Sequence, residues 1–467
     1  MVTVQQKSIL DVITEGIEQA KTLGHSILVS STISIDHVDP LMFYEAGKKL
    51  FFGERFFWKE PHQEIAYVGL GASHVIETSE KTAYRYQHVE LEWDKLIQTS
   101  VQTKQSATHI KLFGGFSFDP LKKRTSLWED FPESKFYLPT YMLTSEKEGS
   151  WLTVNLLVTA IDRPDNIYKN LEREKLLLLK SNQNKPSGRT HTFTEKEVEV
   201  EKWLKSIENV ISHINEGKLE KAVLARELTL HSDEVFDIRS ILMQLQQKQP
   251  TSYLFAMESG SSTFIGATPE RLLKKENQSV LSTCLAGSIK RGKTEIEDQK
   301  LERELLHDVK NLEEHQFVVQ MISQELEQVC QELTTADKPT IFKAKDIQHL
   351  YTPITGKVKD GVHLLSLVEQ LHPTPALGGF PQEKALVEIR EQELLDRGWY
   401  AGPIGWIDGD GNGEFAVAIR SGLIKQKQAS LFAGCGIVGK SEPIKEYEET
   451  QIKFKPMLTA IGGKGNE

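Results

Sequence analysis

Cysteine is nearly absent from this 467-residue sequence, which carries only Cys284, Cys330 and Cys435. Three scattered thiols cannot build a disulfide framework or a zinc site, so small disulfide scaffolds and zinc modules are excluded, and a reducing, cytoplasmic setting is expected. Long apolar runs are missing too. The opening "MVTVQQKSILDVITEGIEQAKTLGHS" has helical apolar spacing but no unbroken hydrophobic stretch, and no later run approaches a membrane span. Positive charge is in deficit, with 56 Lys and Arg against 66 Asp and Glu and a formal net charge of -10. That argues against nucleic acid or an anionic membrane surface as a partner, yet leaves room for a small anion held by local cations. There is no internal repeat and no low-complexity tract. What remains is an ordinary globular composition, long enough for an extensive core.

The part before about Leu179 is rich in strand-like segments such as "RFFWKE", "EIAYVGLG", "HIKLFGGFSF" and "WLTVNLLVTAI", with "FFWKEPHQEIAYVGLG" reading as a hairpin. Polar, aperiodic "KSNQNKPSGRTHT" follows, and residues 181–193 read as a linker or long loop. Thr194 and Glu197 have capping-box spacing ahead of an apolar stripe from Val200 to Ile214, which predicts a helix ending at Gly217. "KAVLARELTL" alternates as a strand. A second long helix is expected over residues 295–330, with Leu301, Leu305, Val309 and Leu312 as its early stripe. Strands mixed with helices predict an α+β architecture, divided as residues 1–193 and 194–467 but integrated into one unit.

"GCGIVGKS", residues 434–441, fits both G-x-x-x-x-G-K-S and G-x-G-x-x-G. A short apolar run precedes it and a helical pattern follows, so strand, glycine turn and helix are expected there. Backbone N–H groups in such a turn suit an anion. A nucleotide fold needs a further strand carrying an acidic residue, for which the 26 residues after Ser441 leave no room. The expectation is therefore an anion loop that does not bind nucleotide.

Spacing alone offers several candidate groups. Lys221 opens a strand among apolar residues, where loss of water would favour the neutral amine of a general base; a strand-end lysine reaching for solvent is the commoner outcome. Glu270 in "GATPERLL" reads as a surface ion. Glu314 and Glu449 on separate helices could hold Mg²⁺ if both face one cleft. Glu446, Glu449 and Lys453 share a helix face, and Glu449 with Lys453 also suits an ordinary i,i+4 pair. Arg420 ends a strand and needs an anion. These groups suggest a polyanion site without naming a reaction.

Nine stretches in order across residues 220–455 carry more: "EKAVLARE", "GATPERLL", "CLAGSIKRG", "EEHQFVV", "HPTPALGGFP", "GWYAGPIGW", "FAVAIRSG", "LFAGCGIVGKSEP" and "EYEETQIK". With "ERFFW", "VGLGA" and "LFGGFSFDP" before them, the chain resembles the chorismate-utilising enzymes related to anthranilate synthase component I. Within that family it is most similar to the isochorismate synthases of menaquinone-pathway type. The resemblance implies two mostly antiparallel sheets packed on each other with helices outside. It also implies that Lys221, where ammonia-adding members usually carry glutamine, activates water for attack on C2 of chorismate, while Glu270 protonates the departing C4 hydroxyl. Glu314 and Glu449 would hold Mg²⁺ against the ring carboxylate, supported by the Gly287 backbone. Arg420, Lys453 and the amides around Gly434 and Gly436 would clamp the enolpyruvyl carboxylate, with His349, Tyr400 and Ala376 lining the pocket. Leu377 stands where pyruvate-releasing relatives typically have threonine, which disfavours that side reaction. No glutamine amidotransferase partner is expected. Two alternatives stay open at this level: a salicylate-forming lyase of the same family, and a chorismate-binding protein without turnover.

Overall fold

A computed structural model describes residues 7–61, 65–79, 84–103, 110–180, 191–345 and 347–462. Most of the segment read as a linker, residues 181–190, lies outside the described residues. Among the described residues every strand pairing but one is antiparallel, the exception being Val101–Gln102 beside Ile27–Ile35. Two connected sheets emerge from the pairings. The first runs from Ile27–Ile35 through Gly149–Val158, Ser134–Glu146, Ala66–Thr78, Arg55–Lys59, Tyr253–Ser259, Ser262–Thr268, Ser421–Lys425 and Gln428–Ile437 to Lys221–Ser232. The second leaves the same long strand Ser134–Glu146 through Lys111–Phe116, then Pro403–Asp408, Gly413–Val417, Arg271–Glu276, Ser279–Lys290 and Ile347–Val358. The expected hairpin is present, with Arg55 opposite Leu70 and Lys59 opposite Ala66. Pairing also crosses residue 193: Arg55–Lys59 lies beside Tyr253–Ser259, and Lys111–Phe116 beside Pro403–Asp408.

The chain changes sheets at two neighbouring corners. Ser262–Thr268 belongs to the first sheet and Arg271–Glu276 to the second, while Gly413–Val417 and Ser421–Lys425 make the opposite passage. The Val417 N–H donates to Glu270 O at 3.1 Å and the Ala267 N–H donates to Arg420 O at 3.1 Å, so the corners brace one another. Arg420 takes a positive φ of 51°, a left-handed conformation that a non-glycine residue adopts at a cost and that recurs at ligand sites.

Two of the expected helices differ from the local pattern. Thr194 and Glu197 do not cap a helix: Phe193–Glu197 is an edge strand on Lys221–Ser232, and the helix Val200–Asn215 starts after Glu199. Ladder bonds outcompeted the capping box, and the Glu197 carboxylate instead accepts from Arg226, Tyr447 and Gln451. The helix expected over 295–330 is two, Glu295–His307 and Val309–Val329, divided at Asp308 with ψ 112°. Asp308 caps the second by accepting from the Asn311 N–H, and Val309, assigned to the stripe, is 67% exposed. No helix among the described residues is long and apolar enough to cross a membrane.

One buried ion pair ties the earlier strands to the later ones. Arg55 Nε donates to Glu258 Oε2 at 2.8 Å, a second guanidinium nitrogen reaches Oε1, and the side chains are only 3% and 5% exposed. Breaking such a pair leaves an uncompensated charge in the core. Arg55→Met should therefore cost about 3–5 kcal/mol, read as a lower urea midpoint at unchanged slope, and adding Glu258→Gln should recover part of the loss. A midpoint unmoved by Arg55→Met would count against this.

Candidate active site

Between the far ends of the two sheets lies a cavity of about 210 Å³. Lys221–Ser232 and Gln428–Ile437 wall it on one side, Ser279–Lys290 and Ile347–Val358 on the other, and both sheet-changing corners open into it. All the residues singled out from the sequence line it except Lys221. Lys221 is 1% exposed, so the solvent-seeking lysine expected from spacing is replaced by a buried one. Its Nζ donates to Glu314 Oε1 at 2.6 Å. It lies against Gly436, where an added Cβ would come within 2.8 Å of Lys221 Cε and 3.3 Å of Glu314 Oε1. Glycine at 436 is thus what leaves room for this ion pair.

The glycine motif sits one element earlier than its pattern suggested. Gly434 and Gly436 are not in a turn but within the strand Gln428–Ile437, opposite Ala225 and Val223. Partners on the other edge stop at Leu431, which leaves the stretch beyond it with a free edge. Lys453 Nζ donates to Gly434 O at 2.8 Å on that edge. In an antiparallel strand the N–H and C=O of one residue point the same way, so the Gly434 and Gly436 amides face the cavity. Anion-facing amides are therefore supplied by an unpaired strand edge.

Glu270 is buried rather than a surface ion. Burial raises its carboxyl to about 7 even though Arg420, Lys221 and Lys453 pull the other way. Burial also raises the Glu314 carboxyl, but Lys221 beside it, backed by Lys453 and Lys310, more than offsets this and holds it below the usual range. Burial, then Arg420 and Lys453, press His349 down to about 3, so the ring is neutral. Burial lifts the Tyr400 phenol. Arg420 has no hydrogen-bond or ion-pair partner among the described residues. An unpaired guanidinium in a cavity with exposed amides is a receptor for an anion.

Lys453 pairs with Glu449 at 2.6 Å, so the ordinary helix pair and the cavity position hold together. Glu446, one turn earlier, also lines the cavity; burial and the neighbouring Glu449 charge raise its carboxyl. Three carboxylates around one cavity suit a hard dication in their donor chemistry, and their mutual repulsion is what such an ion relieves. They are not drawn to ligand spacing, since Glu314 and Glu449 each hold a lysine. Among the described residues only Glu90, Asp94 and His363, outside the cavity, bring three ligand atoms within 4.8 Å of one another.

Other residues emerged only from the structure. Arg397 and Glu393 form a buried pair in which Arg397 donates to Val223 O at 2.6 Å and Leu377 O at 3.0 Å, while Glu393 accepts from the Ala225 N–H at 2.7 Å. That pair fixes Leu377, with Ala376 beside it, against the Lys221 strand. The i,i+4 spacing of Glu393 and Arg397 was its only trace in the sequence. Ser288, Lys310 and Asn311 also line the cavity and had no signal of their own. Gly287 has φ 76° at a bulge beside Ser288, and an added Cβ there would stand 3.0 Å from Asn311 O.

Residues 15–462 match the family model described as chorismate binding enzyme. The chain is 45% identical over 470 residues to isochorismate synthase MenF of Bacillus subtilis, covering 99% of this chain and all of that protein. It is 35% identical over 460 residues to the salicylate biosynthesis isochorismate synthase of Pseudomonas aeruginosa, covering 96% and 93%. Its fold matches the structure of MenF, the menaquinone-specific isochorismate synthase from Escherichia coli, with a TM-score of 0.78 at 23% identity, covering 96% of this chain and all of that one.

The Glu270 environment makes a stability prediction. Its folded pKa of about 7 lies above the ordinary 4.5, so its contribution is fully present below pH 4.5 and is lost as pH rises through 7. Glu270→Gln should therefore gain on the parent between about pH 5 and 7, reaching up to ~3 kcal/mol above that. Urea unfolding at pH 5 and pH 8 measures this, and a difference that stays constant across the two would refute it.

Proposed function

Because this chain belongs to the chorismate-binding enzyme family, we propose that it converts chorismate to isochorismate, adding water at C2 and losing the C4 hydroxyl, and that its product enters menaquinone synthesis. The carrying observation is the pairing of an unpaired arginine and free strand-edge amides, suited to carboxylates, with a buried lysine and a protonated carboxyl near the same cavity. Similarity to the B. subtilis protein across the full length of both chains supports the same reading.

In this reading Lys221 takes the proton from a water that attacks C2. In the structure Lys221 and Glu314 hold each other, so turnover requires that pair to part. Glu270 gives its proton to the C4 hydroxyl as it leaves, with the double bond shifting between the two positions. Burial supports this role, because it keeps the carboxyl protonated up to about pH 7. Arg420, Lys453 and the Gly434 and Gly436 amides hold the enolpyruvyl carboxylate. Glu314 and Glu449 are the residues to hold Mg²⁺, with Glu446 beside them, and the Gly287 backbone supports the ring carboxylate. Held there, Mg²⁺ would supply the positive charge that neutralises that carboxylate. Water as the nucleophile requires no glutamine-hydrolysing partner. The three cysteines are buried and unpaired, in keeping with a cytoplasmic protein.

The test is to incubate the purified protein with chorismate, with and without Mg²⁺, and identify products by proton NMR. Mg²⁺-dependent isochorismate without pyruvate is expected; salicylate with pyruvate would assign a lyase, and no product a binding protein. Lys221→Ala and Glu270→Gln should each lower turnover by roughly 10²–10⁴-fold while leaving the fold intact. Near-normal turnover in either would remove that residue from the mechanism.

A further inference from the structure

One buried ring nitrogen in the cavity has nothing to bond. His349 Nε2 has no hydrogen-bond partner among the described residues, while its Nδ1 lies 2.7 Å from Ser288 Oγ. These two residues stand directly opposite each other on the strands Ser279–Lys290 and Ile347–Val358. The direction of their bond follows from counting protons. A serine hydroxyl has one proton to give, and Ser288 Oγ has no other partner among the described residues. Donation from Nδ1–H would leave that proton without an acceptor among the described residues and the Nε2 lone pair without a donor, two unmet groups in place of one. Donation from Ser288 to Nδ1 satisfies both groups and puts the ring proton on Nε2.

The serine is itself held in place. Asp308 Oδ1 accepts from both the backbone N–H and the side-chain Nδ2 of Asn311, at 2.7 and 2.8 Å. This fixes the Asn311 amide so that its oxygen accepts the Ser288 N–H at 3.0 Å. The bulge at Gly287 brings Ser288 opposite His349. The break at Asp308 that divides the two helices is therefore the far end of a relay that ends at His349.

We propose that Ser288 is a positioning residue that locks His349 in its Nε2–H form, so that a neutral imidazole presents an N–H donor to an oxygen on the enolpyruvyl side of chorismate. The inference rests on the chorismate reading above. The enolpyruvyl side follows from the cavity lining, where His349 stands with Arg420 and Lys453, the two cations that hold that carboxylate in the reading above. Their charge and the burial also keep the ring from becoming an imidazolium. His349 then serves as a fixed donor and takes no part in proton transfer.

Nitrogen-15 NMR of histidine-labelled full-length protein, with His349 assigned by its loss in His349→Gln, reads the tautomer without reference to turnover. A protonated Nε2 and a bare Nδ1 are expected. Ser288→Ala should mix the tautomers and raise KM for chorismate about five- to tenfold, the weight of one hydrogen bond, with kcat within about twofold. Ser288→Thr should restore both. His349→Gln, whose amide offers an N–H near the place of Nε2, should keep a lower KM than His349→Ala. A parent ring protonated on Nδ1, or Ser288→Ala with tautomer and KM unchanged, would overturn the proposal. If Ser288→Ala does not fold, the parent spectrum and the Ser288→Thr kinetics decide it. Absence of any turnover in the parent would instead strike the chorismate reading, since the tautomer is measured apart from it.

Discussion

The 2.6 Å contact between Lys221 and Glu314 closes the seam between the two sheets. Lys221 stands on the last long strand of the first sheet, and Glu314 on a helix packed over the second. The Lys221 charge is the one that needs the partner, because a buried ion left alone costs several kcal/mol, whereas Glu314 is 26% exposed at the cavity. The pair thus ties the wall carrying the proposed base to the wall carrying the proposed metal ligand. Gly436 follows from it, since any side chain there would occupy the space of the ammonium.

The same constraint explains what is left unpaired. Lys453 is balanced by Glu449, yet the Arg420 guanidinium has no partner among the described residues and burial raises the Glu270 carboxyl to about 7. Both stand at corners where the chain changes sheets, braced by backbone bonds rather than by each other's charge. The corners keep an unneutralised guanidinium and a neutral acid in one cavity. Arg397 and Glu393 apply the opposite device behind the cavity, where full pairing fixes the Leu377 carbonyl and the Lys221 strand in one frame.

Pattern and propensity were reliable where local chemistry agreed with long-range pairing. The hairpin from Arg55 to Leu70 and the strand from Lys221 were legible because alternation and turn residues pointed the same way. Thr194 and Glu197 misled because an edge-strand ladder was available to them, and Asp308 because a capping aspartate within a continuous apolar period was read through. Asp308 is also where the site was least legible, since its effect reaches His349 only through Asn311 and Ser288.

The sequence by itself determined the α+β class, the family and the charged groups Glu270, Glu314, Arg420, Glu446, Glu449 and Lys453 of the cavity, because ordered motifs across residues 220–455 carry that information residue by residue. Tertiary structure alone decided the state of those groups. Glu270 became a buried acid, Lys221 an ion pair behind the cavity wall, and the glycines of "GCGIVGKS" a strand edge. The reason is physical: charge state and hydrogen-bond direction depend on desolvation and on partners brought from distant strands, and neither is written in local spacing.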